Sequence, residues 1–165
     1  MEPTLGKAAQ AFTGAVTEGA KVLVEHLQEA ARAAEIPFPE NREDELLAHS
    51  LLFVLHATNR FALRFLAISG RAMFMDALLE KLTESTDRES LREAFNETER
   101  EYAKCRDFLP EKDEGFSGTV CWEFAKSARD IICPHHPEAA VYFTMAASQT
   151  VLALGKTFTQ CVPIS

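Results

Sequence analysis

Glu45, His49, His56, Asn59 and Arg60 fall on one side of a helix, if the chain is helical there. At about 100° per residue they share roughly a third of the circumference, and Arg64 lies at the edge. On an otherwise apolar segment this gathers a carboxylate, two imidazoles and two guanidinium groups. Arginine forks hold carboxylates and other anions in bidentate fashion. Histidine supplies acid–base groups near neutral pH. His49, His56, Asn59, Arg60 and Arg64 are therefore the candidate ligand-binding set. The competing reading is a solvent-facing stripe, which amphipathic helices carry routinely.

Cys133-Pro134-His135-His136 is the second constellation. Cysteine and histidine are good zinc ligands, and a turn could present them, so Cys133, His135 and His136 are the candidate metal residues. A structural zinc takes four ligands and a catalytic zinc three from the protein. The chain has no CxxC and no HExxH to complete either set. An interhelical turn between two prolines, with His136 capping the next helix, explains the same residues. Cys121 or Cys133 beside an imidazole would also make a thiol nucleophile. No orienting third residue or oxyanion donor can be identified for it.

Two further patterns have plainer readings. Glu89, Glu93, Glu97 and Glu101 form a row at four-residue spacing. Carboxylate-bridged metal centres in bundles need Glu-x-x-His, which the chain lacks. Arg92, Arg100, Lys104 and Arg106 lie nearby, so the row reads as a charged solvated face. Met73, Phe74 and Met75 are consecutive apolar residues on a short segment that cannot bury every side equally. They are the candidate interface, set against burial between neighbouring helices. No glycine-rich phosphate loop, GxSxG elbow or basic helix-turn-helix is present.

The elements that must carry these residues follow from periodicity. Leu5, Ala9, Phe12, Val16, Ala20, Leu23 and Leu27 recur every three or four residues, which predicts a helix over about 4–35. Gly14 and Gly19 are points where it could break. Pro37 and Pro39 stop it. A second helix starts near Asn41 to Asp44 and is expected to reach Ser69, with Gly70 as its left-handed terminator. It is apolar around most of its circumference, the mark of a central element. A short helix is expected over 71–83. A fourth runs from the capping box Thr86-Asp87-Arg88-Glu89 to about Phe108, with one narrow apolar stripe. Ser117 or Thr119 caps a fifth. Pro137 opens a sixth that runs to about Gln160 and, apolar nearly all round, is expected beside helix two in the centre.

The expected fold is therefore all-α: a compact single-domain bundle of five to six helices over residues 1–165. Composition agrees. The hydrophobic share is 47% and the charged share 25%, ordinary for a globular domain. Net charge is −8, and no basic patch offsets it, so neither nucleic acid nor an anionic membrane surface is an expected partner. The uncharged run Ala139 to Gly155 is shorter than the roughly 20 residues of a bilayer span. The opening MEPTLGKAAQAF lacks a basic region before an apolar core, so no secretory signal is expected. With four cysteines at low density, the expected setting is the reducing cytoplasm.

No catalytic signature, metal set or cofactor motif emerges, so no cofactor is expected. The leading functional expectation is a non-enzymatic helical protein that binds a protein partner or another copy of itself. The alternative is a small-molecule-binding bundle. Its pocket would lie between helices two and six, with the His/Arg set at the mouth. A metal or thiol enzyme built on Cys133, His135 and His136 is the third expectation.

Overall fold

A computed structural model describes residues 2–84 and 87–164. Six α-helices follow one another: α1 (Glu2–Ala33), α2 (Glu43–Phe65), α3 (Ile68–Leu82), α4 (Arg88–Tyr102), α5 (Val120–Ile132) and α6 (Ala139–Cys161). Among the described residues there is no strand. The all-α bundle expected from periodicity is the observed architecture.

α1 is continuous through Gly14 and Gly19. Its inward face, Ala9, Phe12, Val16, Ala20, Leu23 and Leu27, is fully buried. Gly19 faces Val54 of α2, and a β-carbon there would make an ordinary contact of 3.6 Å with Val54 Cγ1. The helix ends in a left-handed residue, Glu35 (φ 57°). Ile36 N donates to Ala31 O at 2.8 Å, closing the terminal carbonyls just before Pro37.

α2 touches each of the other five helices. It stops at Phe65, not Ser69. Leu66 is extended and Ala67 becomes the first flank of α3. Gly70 therefore lies inside α3, where a β-carbon would press to 3.3 Å from Leu5 Cδ2 of α1. The turn comes earlier than predicted because α3 must swing onto α1, its main neighbour. α4 likewise ends at Tyr102 rather than Phe108. Asp87 is its cap: Oδ1 accepts from Glu89 N at 3.1 Å and Oδ2 from Ser90 Oγ at 2.7 Å. Thr86, the residue expected to cap it, lies outside the described residues.

The segment 103–119 folds back on itself. Asp107 O and Phe108 O accept from Val120 N and Cys121 N, filling two of the open donors of α5. Thr119 caps that helix as expected (Trp122 N to Oγ1, 3.4 Å). At the start of α6 the flank is Glu138, without a side-chain cap, so His136 does not cap with its imidazole. It contributes its carbonyl instead, which accepts from Ala139 N at 3.0 Å.

Two aromatic clusters fill the core. Phe158 of α6 meets Phe12, Phe74, Phe61 and Phe65 at centroid distances of 5.5, 5.4, 6.0 and 6.2 Å, tying α6 to α1, α3 and α2. At the other end of α2, Phe53 stacks on Phe124 at 4.3 Å and meets Tyr102 edge-on at 6.5 Å. The stretch Glu40–Phe65 holds an 18-residue window with the length and apolarity of a bilayer span, at mean hydropathy 1.2. Yet 56% of that window is buried inside the bundle, which is how a core helix reads.

Candidate functional site

The polar stripe of α2 is not one surface. α2 runs past α5, α4, and α6 in turn, so each part of the stripe meets a different neighbour. Glu45 stays exposed and pairs with Arg42, which donates through Nε at 2.7 Å and Nη2 at 2.8 Å. His49 stacks on Phe124 at 5.0 Å. Its Nε2 is buried without a hydrogen-bond partner. Burial pushes its pKa down from 6.5, against the Phe124 backbone and the Glu45 charge.

Two turns further, His56, Asn59 and Arg60 meet α4. His56 and Asn59 are buried. Arg60 Nε donates to His56 Nε2 at 2.8 Å. That nitrogen must carry the lone pair, so the imidazole is neutral and its proton is on Nδ1, which donates to Glu99 Oε1 at 2.6 Å. Asn59 Nδ2 donates to the other oxygen of Glu99 at 2.7 Å, and Asn59 Oδ1 accepts from Arg71 Nε at 2.8 Å. Arg60 Nη2 also donates to Tyr102 O (2.9 Å), the last residue of α4, and to Cys105 O (3.0 Å) in the turn that follows it.

This chain, Arg60–His56–Glu99–Asn59–Arg71, joins α2, α3 and α4. Its far end opens into a cleft of about 470 Å³ between those helices, lined by Asn59, Arg71, Asp76, Arg92 and Glu99 over Met75, Leu79 and Phe95. Neither Arg71 nor Glu99 was among the candidate residues. Glu99 had a visible signal: it stands four residues after Phe95 and three before Tyr102, on the inner stripe of α4 and off the row Glu89–Glu93–Glu97–Glu101.

Arg64 goes elsewhere. It is exposed at the rim of a second groove, about 450 Å³, between α2 and α6, with Phe61, Phe65, Phe108, Val151 and Lys156. Gly155 lets Phe61 into that groove; a β-carbon there would meet Phe61 Cζ at 2.9 Å. The expected pocket between α2 and α6 thus has Arg64 at its mouth but neither histidine.

The remaining candidates separate. Cys133 is buried, His135 is exposed, and His136 pairs with Glu138 at 3.0 Å. Among the described residues, no group of three or more His, Cys, Asp and Glu side chains is placed to hold a metal ion. All four cysteines are free. Burial pushes the Cys121 thiol up to about 12 and raises those of Cys105 and Cys133, which is the reverse of an activated thiolate. The Met73-Phe74-Met75 patch does not form. Phe74 is in the aromatic core and Met75 floors the α2–α3–α4 cleft, which leaves Met73 at the surface. Consecutive helical residues point about 100° apart, so three in a row cannot share a face.

Among the described residues, α6 carries the largest group of exposed large apolar side chains on one helix. Val141, Tyr142, Met145 and Leu152 are 43%, 47%, 58% and 66% exposed. The helix expected to be enclosed presents an uncharged outer face from Ala139 to Gly155. Comparison with known proteins finds no matching family model, no similar curated sequence and no similar solved structure.

Proposed function

We propose that the chain is a non-enzymatic cytoplasmic protein that acts through protein–protein contact, with the outer face of α6 docking a second copy of itself. The observation that carries the reading is the exposed row Val141, Tyr142, Met145 and Leu152, which has no charge within it. Isolated exposed apolar residues are normal, but a helix-long uncharged face on so acidic a chain marks a contact surface. Charge at its ends favours a copy of the same chain. Glu138 and Lys156 bracket the face and are eighteen residues apart, which is five full turns, so they lie on one line. Two such helices, antiparallel about a twofold axis level with Ala147, place Glu138 of each copy against Lys156 of the other. Tyr142 then meets Leu152 twice. A twofold contact requires this self-complementarity.

The test is the mass in solution, measured by light scattering. The wild-type chain should be a dimer. Met145→Glu, at an exposed position, should give a folded monomer. Lys156→Glu should weaken the dimer, and adding Glu138→Lys should restore it. A wild-type monomer at every concentration, or a dimer indifferent to Met145→Glu, overturns the reading.

A second reading is small-molecule binding in the α2–α6 groove, favoured by its apolar floor and the cations Arg64 and Lys156 at its rim. Native mass spectrometry separates the two. A doubled mass supports the first, and a small added mass on a monomer supports the second.

A further inference from the structure

The α2–α3–α4 cleft serves neither of those readings, and its charges are arranged in an unusual way. Arg71 uses one donor, Nε, on Asn59. Its other donors have no partner among the described residues, and the bond to Asn59 fixes the direction of the fork. Glu99 is held at each oxygen by an uncharged donor, Nδ1 of neutral His56 and Nδ2 of Asn59. No cation touches it, although its side chain remains 26% exposed. A carboxylate oxygen has two lone pairs, so Glu99 keeps acceptor capacity.

The cleft therefore has an open acceptor on one side of the Asn59 amide and an open donor fork on the other. They reach that amide through hydrogen bonds of 2.7 and 2.8 Å, so a ligand bridging them on the same terms needs a donor and an acceptor about as far apart as the amide's own nitrogen and oxygen. In an α-amino acid, one carbon separates the ammonium from the carboxylate, which is a similar span. In the wider lining Arg92 and Asp76 pair with each other (Nη2 to Oδ1, 3.3 Å), so among the described residues Arg71 and Glu99 are the two charges of the lining left without a charged partner. A plain organic anion on Arg71 would leave Glu99 unanswered, and a plain amine on Glu99 would leave Arg71 unanswered. A molecule carrying both charges satisfies both sides. Beside the charges, the buried Met75, Leu79 and Phe95 form an apolar floor.

We propose that this cleft binds a small zwitterion, an α-amino acid with an apolar side chain. Its carboxylate lies on the Arg71 fork, its ammonium on Glu99, and its side chain on Met75, Leu79 and Phe95.

The experiment is calorimetric titration of the intact wild-type protein with leucine, N-acetyl-leucine and leucinamide. Leucine binds. Each blocked analogue, having lost one charged end, binds at least about tenfold more weakly. Arg71→Gln lowers leucine affinity by a similar factor and leaves leucinamide affinity unchanged. A general loss of structure would lower both, so this split identifies Arg71 as the carboxylate contact. Failure of leucine, methionine and phenylalanine alike to bind at millimolar concentration overturns the proposal. So does equal binding of leucine and its blocked analogues.

Discussion

His49 and His56 are two turns apart on α2, yet the fold treats them oppositely. His56 has a partner on each nitrogen. His49 has a stacked ring and a buried Nε2 with no partner. Burial lowers the pKa of His49 in the folded chain, so the unfolded chain takes the proton first. Its effect is absent above the ordinary histidine value of about 6.5. Stability falls as pH drops through that value, by up to about 1.4 kcal/mol per pH unit while only the unfolded form is protonated. Urea midpoints at about pH 7 and about pH 5 measure this slope. His49→Phe keeps a ring on Phe124 and should flatten it. An unchanged slope in the variant would mean that another group sets the pH dependence.

At the scale of elements, α4 is the weakly buried member. It buries Phe95 and Tyr102, which contribute about 1.5–3 kcal/mol each. Polar contacts supply the rest of its attachment: Glu99 grips His56 and Asn59, and Arg60 holds the carbonyls of Tyr102 and Cys105. Glu99→Ala leaves two buried donors unpaired, at about 1–3 kcal/mol each. Hydrogen exchange should then show α4 amides opening well before those of α1 and α6. Protection of α4 equal to that of α1 in the variant would mean that apolar contacts alone secure it.

Across the whole molecule, Phe158 of α6 is the residue on which rings from three other helices converge. Phe158→Ala should cost about 3–5 kcal/mol, since rings on α1, α2 and α3 cannot all collapse into one cavity. That is a large part of the roughly 5–15 kcal/mol typical of a domain. Leu152→Ala, at an exposed site, should change monomer stability by no more than about 0.5 kcal/mol. Denaturant melts of the two variants make the comparison. Equal losses would contradict the division between core and outer face of α6.

Sequence periodicity by itself determined that the protein is helical, how many helices it has, and most of their starts. The steps of three and four from Ala9 to Leu27 specify a face, and Pro37, Thr119 and Pro137 act within a few residues of where they stand. The ends of α2 and α4 were not legible, because no glycine or proline marks Leu66 or Ala103; tertiary packing sets those turns. The candidate ligand set reads from the sequence as one stripe, whereas the fold divides it among three environments. Periodicity tells which side chains share a face and not which helix covers it. Only the tertiary structure put Glu99 against His56 and Asn59, brought Arg71 to the same amide, and left α6 uncovered. Each of these depends on contacts between residues distant in the chain, which local spacing does not encode.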